Sequence, residues 1–247
     1  FVASQDPEKR AAVIDELLGL TGDPERDRFT NEFSAYWALK WGDLLRNNRN
    51  KLGEQGMWAL HNWLREAIRE NRPLDEFTRE LITAQGSIYS NGPANYFRIA
   101  SNPSDLAETT AQVFLGVRLQ CARCHDDPYR DWSQQEHWGL AAFFGRFEGD
   151  FKKVEINKEP SKKPGEIGIP DSAFRNAGSV VQAAFLRGDR FEAKDNKDLR
   201  QPFADWLTAK ENPYFARAFV NRVWFSLFSR GIVNPIDDFR ELKPSSH

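Results

Sequence analysis

Apolar residues recur every three to four positions through most of the first half of the chain, and strand-like alternation is scarce. That periodicity predicts a mainly α-helical fold, because each segment carries one apolar stripe that needs a partner surface. A first helix is expected over 7–20, where Asp6 can cap free amides, Pro7 suits the first helical position and Gly22-Asp23-Pro24 supplies the stop. A second is expected over 27–46, with Phe29, Phe33, Tyr36, Trp37, Leu44 and Leu45 on one stripe. A third, over 56–70, places Met57, Leu60, Leu64 and Ile68 on one face. Pro73 opens a fourth over 74–85, and the Gly, Pro and Asn residues of 89–103 read as a loop. A fifth over 104–119, opened by Ser104 and Glu108, runs into the cysteines, and a short aromatic helix follows over 134–147. Residues 148–171 shift to Lys, Glu, Pro and Gly and read as a solvated loop or hairpin. Two more helices are expected over 200–209 and 213–229, the second ended by Gly231.

The expected division is therefore a helical domain over 1–150, a loop or linker region over 151–198, and the start of a second, partial helical module over 199–247. A chain of 247 residues with 40% apolar and 28% charged residues can bury a sizeable core. No run of 18 or more apolar residues is present that could span a bilayer. A net charge of −2 gives no electrostatic reason to expect nucleic acid or an anionic lipid surface as the main partner. The chain begins at Phe1 with no apolar leader, so an export signal is expected to have been removed or to lie upstream. It stops at Lys243-Pro-Ser-Ser-His247 without an evident domain end, as a piece of something longer would.

The chemistry is concentrated in Cys121-Ala122-Arg123-Cys124-His125. These are the only two cysteines, and one of only four histidines follows them directly. The spacing is that of c-type haem attachment: two thiols three residues apart reach the two porphyrin vinyl groups, and the next imidazole falls beneath the iron. Random placement would produce it with a chance of order 10⁻⁴. The expected cofactor is one covalent haem c, with Cys121 and Cys124 as thioether anchors and His125 as proximal ligand. Attachment of haem c takes place outside the cytoplasm, so an extracytoplasmic location follows. Other readings of the cysteines stay open. A thiol redox pair expects a βαβ setting, which the helical pattern does not offer. A zinc site needs further ligands, of which His137 is the only near candidate. A disulfide across two intervening residues is strained.

The sixth iron ligand decides what such a haem does, since Met or His closes the iron for electron transfer and a vacant position opens it to small ligands. Met57, His61 and His137 are the distal candidates; each has a plain alternative as a core or helix-surface residue, and His247 sits at the chain end. Arg118, Arg123 and Arg130 can neutralise haem propionates. Asp126-Asp127 and Asp237-Asp238 can bind a cation, orient an imidazole or simply face solvent. The aromatic segment from Trp132 to Phe147 is expected to wall the haem and bury His125. No Ser/His/Asp order, phosphate loop or His-Glu-x-x-His helix is present.

The stretch Glu108-Thr-Thr-Ala-Gln-Val-Phe-Leu-Gly-Val-Arg-Leu-Gln-Cys-Ala-Arg-Cys-His125, with Pro128, Trp132 and Gly139-Leu-Ala-Ala-Phe-Phe144, resembles the planctomycete-type cytochrome domain known as domain of unknown function 1549. Arg72-Pro73, Asp75-Glu76-Phe77 and Arg79-Glu80-Leu81 fit the same pattern. Ala204-Asp-Trp-Leu207, Asn212-Pro-Tyr-Phe-Ala-Arg217, Val220-Asn-Arg-Val-Trp224 and Pro235-Ile-Asp-Asp-Phe239 resemble the start of its partner family, domain of unknown function 1553. The resemblance implies a haem-bearing, exported, multi-domain protein and names no substrate. Members commonly carry a His two residues after the haem His, where this chain has Asp127.

The resulting expectation is an electron carrier working with a redox partner protein or other cytochromes, and able to assemble with other chains or domains of a larger protein. Two rivals stand beside it. One is a haem enzyme that uses an open distal site for peroxide or small-ligand chemistry. The other is a structural or assembly module in which the haem staples a helical scaffold.

Overall fold

The computed structural model describes the chain except residues 101, 146, 150–152, 157–164, 174, 194–197 and 241–247; side chains are described outside these and outside 146–164. His247 and much of the expected 148–171 loop thus lie outside the described residues. The described architecture is mainly α-helical: α1 (Lys9–Leu18), α2 (Thr30–Leu44), α3 (Arg49–Arg69), α4 (Leu74–Thr83), α5 (Pro103–Thr110), α6 (Gln134–Ala141), α7 (Arg200–Thr208) and α8 (Phe215–Phe228).

Helix ends follow local chemistry. Asn48 accepts a hydrogen bond from the Lys51 amide and starts α3 seven residues earlier than the apolar periodicity indicates, with a kink where Gly53 takes φ +69°. Asn102, not Ser104, caps α5, and Pro103 occupies its first turn. Ser133 and Glu136 form a reciprocal capping box that fixes the start of α6. α1 ends at Gly19, which has φ +71°, rather than at Gly22.

Two expectations are corrected by packing. The buried stripe of α2 is Ser34, Ala38 and Trp41, continued by Leu45, while Phe29 and Tyr36 stay exposed; the small residues let α2 lie close on α3. Residues 89–103, expected as a loop, are partly helical and buried. They contain a 3₁₀ segment, Gly92–Arg98, whose residues Gly92 to Phe97 are all buried between α3 and α4. A side chain at Gly92 would meet the Ala59 carbonyl oxygen at 2.4 Å and Trp63 Cβ at 2.7 Å, so only glycine permits that approach.

Short strands add a rim. β1 (Gly86–Ser87), β2 (Phe147–Gly149) and β3 (Lys153–Ile156) form an antiparallel sheet in the order β1-β3-β2, and β4 (Glu166–Gly168) pairs antiparallel with β5 (Val180–Gln182).

The C-terminal helices join the same core. α7 packs on α4, and its Phe203, Ala204 and Leu207 belong to the hydrophobic cluster that also holds Leu60, Leu81 and Phe114. Arg200 is 1% exposed; it pairs with Asp198 at 2.8 Å, donates to the Ala84 carbonyl and lies 4.7 Å over the Phe97 ring. α8 packs on a π-helical turn, Ala111–Leu115, that extends α5. That turn ends at Gly116, with φ +66°, whose carbonyl accepts from the Phe239 amide and whose Cα faces the Phe239 ring. A Cβ there would lie 2.3 Å from the ring. Gly116→Ala is expected to cost about 3 kcal/mol, from the left-handed backbone and the overpacking together. A urea titration that finds Gly116→Ala as stable as the parent would refute this docking.

Candidate functional site

The chain leaves the π turn at Gly116, buries Val117 and Leu119, and forms a single 3₁₀ turn, Cys121–Arg123, with Ala122 facing inward. Both cysteines are free and half-buried. A turn of this kind leaves backbone carbonyls without helical partners, and α6 supplies the donors. His137 Nδ1 lies 3.1 Å from the Leu119 carbonyl oxygen. Trp138 Nε1 donates to the Arg123 carbonyl at 3.0 Å, and Gln134 Nε2 donates to the Cys124 carbonyl at 3.0 Å. The Arg175 amide donates to that same carbonyl at 3.1 Å. Inward-facing main chain is thereby fixed, and the two half-buried cysteines are held on the turn.

His125 follows the turn, half-buried rather than buried as expected. Its Nδ1 lies 2.7 Å from the Asp126 carbonyl oxygen. A carbonyl only accepts, so Nδ1 is the donor, and in the neutral ring Nε2 is left as the free acceptor. Asp126 Oδ1 accepts from the Gln134 amide at 2.8 Å and so joins this loop to the start of α6.

The residues present fit the proximal side of a haem c: two free thiols on one turn, a following imidazole whose Nε2 is not hydrogen-bonded within the described residues, and a carbonyl that holds Nδ1. The distal candidates are not gathered there. Met57 and His61 lie on α3, which packs on α2 and the 92–98 segment, whereas the cysteine turn packs on α6. His137 is fully buried, with Nε2 at 2.7 Å from Ser104 Oγ and Nδ1 on Leu119; both ring nitrogens are engaged within the protein. Burial pushes its pKa down to about 4, so it is neutral in the fold. Among the described residues, no group of three or more His, Cys, Asp and Glu side chains is arranged to hold a metal ion.

The aromatic wall is also corrected. Trp138, Phe143 and Phe144 point into the core, where Phe143 stacks on Phe185 at 4.9 Å and touches Phe203 at 5.3 Å. Trp132 packs against Tyr214 and beneath Arg187. The three arginines are engaged as well: Arg118 with Asp237, Arg123 with Asp105, and Arg130 with Asp127 and Asp238. Asp127 and Asp238 are buried rather than solvated. Burial opposes charge on Asp238, but hydrogen bonds from Arg240 and Arg130 outweigh it and hold the carboxyl at about 2.

Sequence reasoning missed Gln134 and Ser104 as partners of the site. The Ser133/Glu136 capping box was a usable signal, because it fixes the start of α6 and puts Gln134, His137 and Trp138 on one face at i, i+3 and i+4.

A mainly α-helical protein that presents two thiols and an imidazole on one clamped turn is the class these features define. The chain belongs to the PSCyt2 family, described as a protein of unknown function (DUF1549), whose model matches residues 1–148. Residues 199–247 match a second model, PSD1, also described as a protein of unknown function (DUF1553). No curated protein and no solved structure matches the chain.

The buried, neutral His137 gives a pH dependence. Its folded pKa lies below the unfolded value, so the unfolded chain binds the extra proton first. Its contribution is fully present above about pH 6.5 and is lost as pH falls towards 4, by on the order of 3 kcal/mol. Urea unfolding at pH 7 and pH 4.5 should show this loss, and His137→Gln should flatten the difference. An unchanged pH slope in His137→Gln would overturn the assignment.

Proposed function

We propose that this chain is a c-type cytochrome domain of an exported multi-domain protein, holding one haem through Cys121 and Cys124 with His125 as proximal ligand and passing electrons to a redox partner protein. The observation that carries the reading is the clamped turn. Free thiols stand three residues apart, and Nδ1 of the next imidazole is tied to the Asp126 carbonyl, which leaves Nε2 for iron. The family name is in keeping with this and no more specific. When bound, the haem supplies a one-electron iron couple whose potential follows its ligands and burial.

The chain's own residues do the positioning. Gln134, Trp138 and His137 hold the backbone of the turn, so the thiols keep their spacing. The Asp126 carbonyl orients the His125 ring and raises its basicity as a ligand. Among the described residues no helix is long and apolar enough to cross a membrane.

A second reading rests on the distal side. His137 is engaged elsewhere, and Met57 and His61 sit on a helix that packs away from the turn. This favours an open sixth position able to take small ligands.

Export of the chain alongside haem c maturation machinery should give protein with a c-type pyridine haemochrome spectrum, and the 121–125 peptide should carry the mass of one haem. Cys121→Ala, Cys124→Ala protein should lose both. Their absence from the parent, matured beside a control cytochrome c, would remove the haem reading and return the turn to thiol or zinc chemistry. Carbon monoxide binding to the reduced form separates the two haem readings: tight binding marks an open iron, and resistance marks a six-coordinate electron carrier.

A further inference from the structure

Behind the cysteine turn stands a buried carboxyl that the clamp itself does not use. Glu108 lies on the last turn of α5, and its Oε1 is buried with no hydrogen-bond partner among the described residues. Two groups face that oxygen. The guanidinium of Arg123, a residue set between the two cysteines, stands 3.6 Å away, and His137 Nε2 stands 3.9 Å away. His137 is also the residue that holds the Leu119 carbonyl just ahead of the turn. One carboxyl of α5 therefore abuts both the turn and its clamp.

The counter-charge there is too small for two carboxylates. Arg123 pairs at 2.8 Å with Asp105, which sits one helical turn before Glu108, and is nearer to it than to Glu108. His137 is neutral. Its Nδ1 donates to the Leu119 carbonyl, so Nε2 accepts from the Ser104 hydroxyl at 2.7 Å and lends Glu108 no positive charge. Arg46 is exposed and donates to the Thr109 hydroxyl. Glu108 thus faces one shared guanidinium, one like charge and one solvent-screened cation.

A carboxyl so placed takes up a proton in preference to staying ionised, because burial without a full counter-charge disfavours the anion. Burial raises the pKa of Glu108, and Asp105 adds to the rise against the pull of Arg123 and Arg46. The side chain is still 14% exposed and borders the pocket between α2, α5 and α8, so its proton can exchange with water.

We infer that Glu108 is a proton-holding group coupled to the charge of a haem on the turn, so that electron transfer at this site is accompanied by proton uptake. The inference rests on the haem reading above. On reduction, one electron from the redox partner protein converts ferric to ferrous iron, and the Glu108 carboxylate takes one proton from solvent to become the neutral acid. On oxidation the electron returns to a partner and the proton to solvent. Glu108 acts through Arg123, whose backbone belongs to the attachment turn while its guanidinium is shared by the two carboxyls of α5.

Spectroelectrochemical titration of the full chain, matured with haem, between about pH 5 and pH 9 tests this. The midpoint potential should fall as pH rises, by up to about 59 mV for each tenfold drop in proton activity where one proton accompanies the electron. Glu108→Gln should keep the c-type spectrum and lose most of that slope. Asp105→Asn, which frees Arg123 for Glu108, should move the sloping region to lower pH. Reduced-minus-oxidised infrared spectra of the parent should show one protonated carboxyl gained on reduction. In the haem-free Cys121→Ala, Cys124→Ala protein, carbon-13 NMR should show Glu108 titrating above the ordinary glutamate range. A loaded parent whose potential is flat with pH, a Glu108→Gln protein with the parent's slope, an unshifted Asp105→Asn, no carboxyl gained on reduction, or a Glu108 that titrates as an ordinary glutamate would each overturn the inference alone. A parent without a c-type spectrum would overturn the haem reading and this inference with it.

Discussion

Everything at the cysteine turn depends on the backbone carbonyls of Leu119, Arg123 and Cys124 finding donors. A chain that leaves a helix and reverses within a few residues forfeits its internal hydrogen bonds, and each buried carbonyl left unpaired costs about 1–3 kcal/mol. α6 satisfies all three through His137, Trp138 and Gln134. The same bonds fix where the two thiols and the His125 ring stand. The site is thus held from behind, by polar side chains of a helix whose other face fills the aromatic core.

The second family segment is tied to this arrangement at several points. Phe239 docks on Gly116, at the start of the stretch that leads into the turn, and Asp238 meets Arg130, which also pairs with Asp127 just after it. Arg130 and the two aspartates are largely withdrawn from solvent, with side-chain exposures of 12%, 0% and 1%. Charges so placed persist only in company, because a lone buried ion is strongly destabilising. Residues 235–240 therefore complete an electrostatic set that the first segment leaves unfinished. The pocket between α2, α5 and α8 has the same logic, with Arg222 and Asp237 closing a wall begun by α2 and α5.

Several features of this fold were legible without coordinates. α4 and α7 carry clear 3.6-residue periodicity and sit within a few residues of where the pattern puts them. The 89–103 stretch was misread because Gly, Pro and Asn signal turns, and turns usually face water; here Asn95 donates to the Ile88 and Gly92 carbonyls and satisfies the buried segment from within. The aromatic stripe of α2 was misread because ring size does not decide burial. The buried side combines the small Ser34 and Ala38 with Trp41, while Phe29 and Tyr36 remain exposed.

The sequence by itself determined the helical class, the family and the Cys-x-x-Cys-His spacing, because periodicity, capping and the order of two thiols and an imidazole are local properties written within a few residues. Only the tertiary structure decided that His137 is a buried structural histidine, that Arg118, Arg123 and Arg130 are spent on carboxylates, and that Arg222 and Glu108 share one cavity. Those outcomes depend on groups from about 15 to more than 100 positions apart meeting in low-dielectric surroundings. There the partner that happens to be adjacent sets charge, protonation and hydrogen bonding, and no local pattern encodes that adjacency.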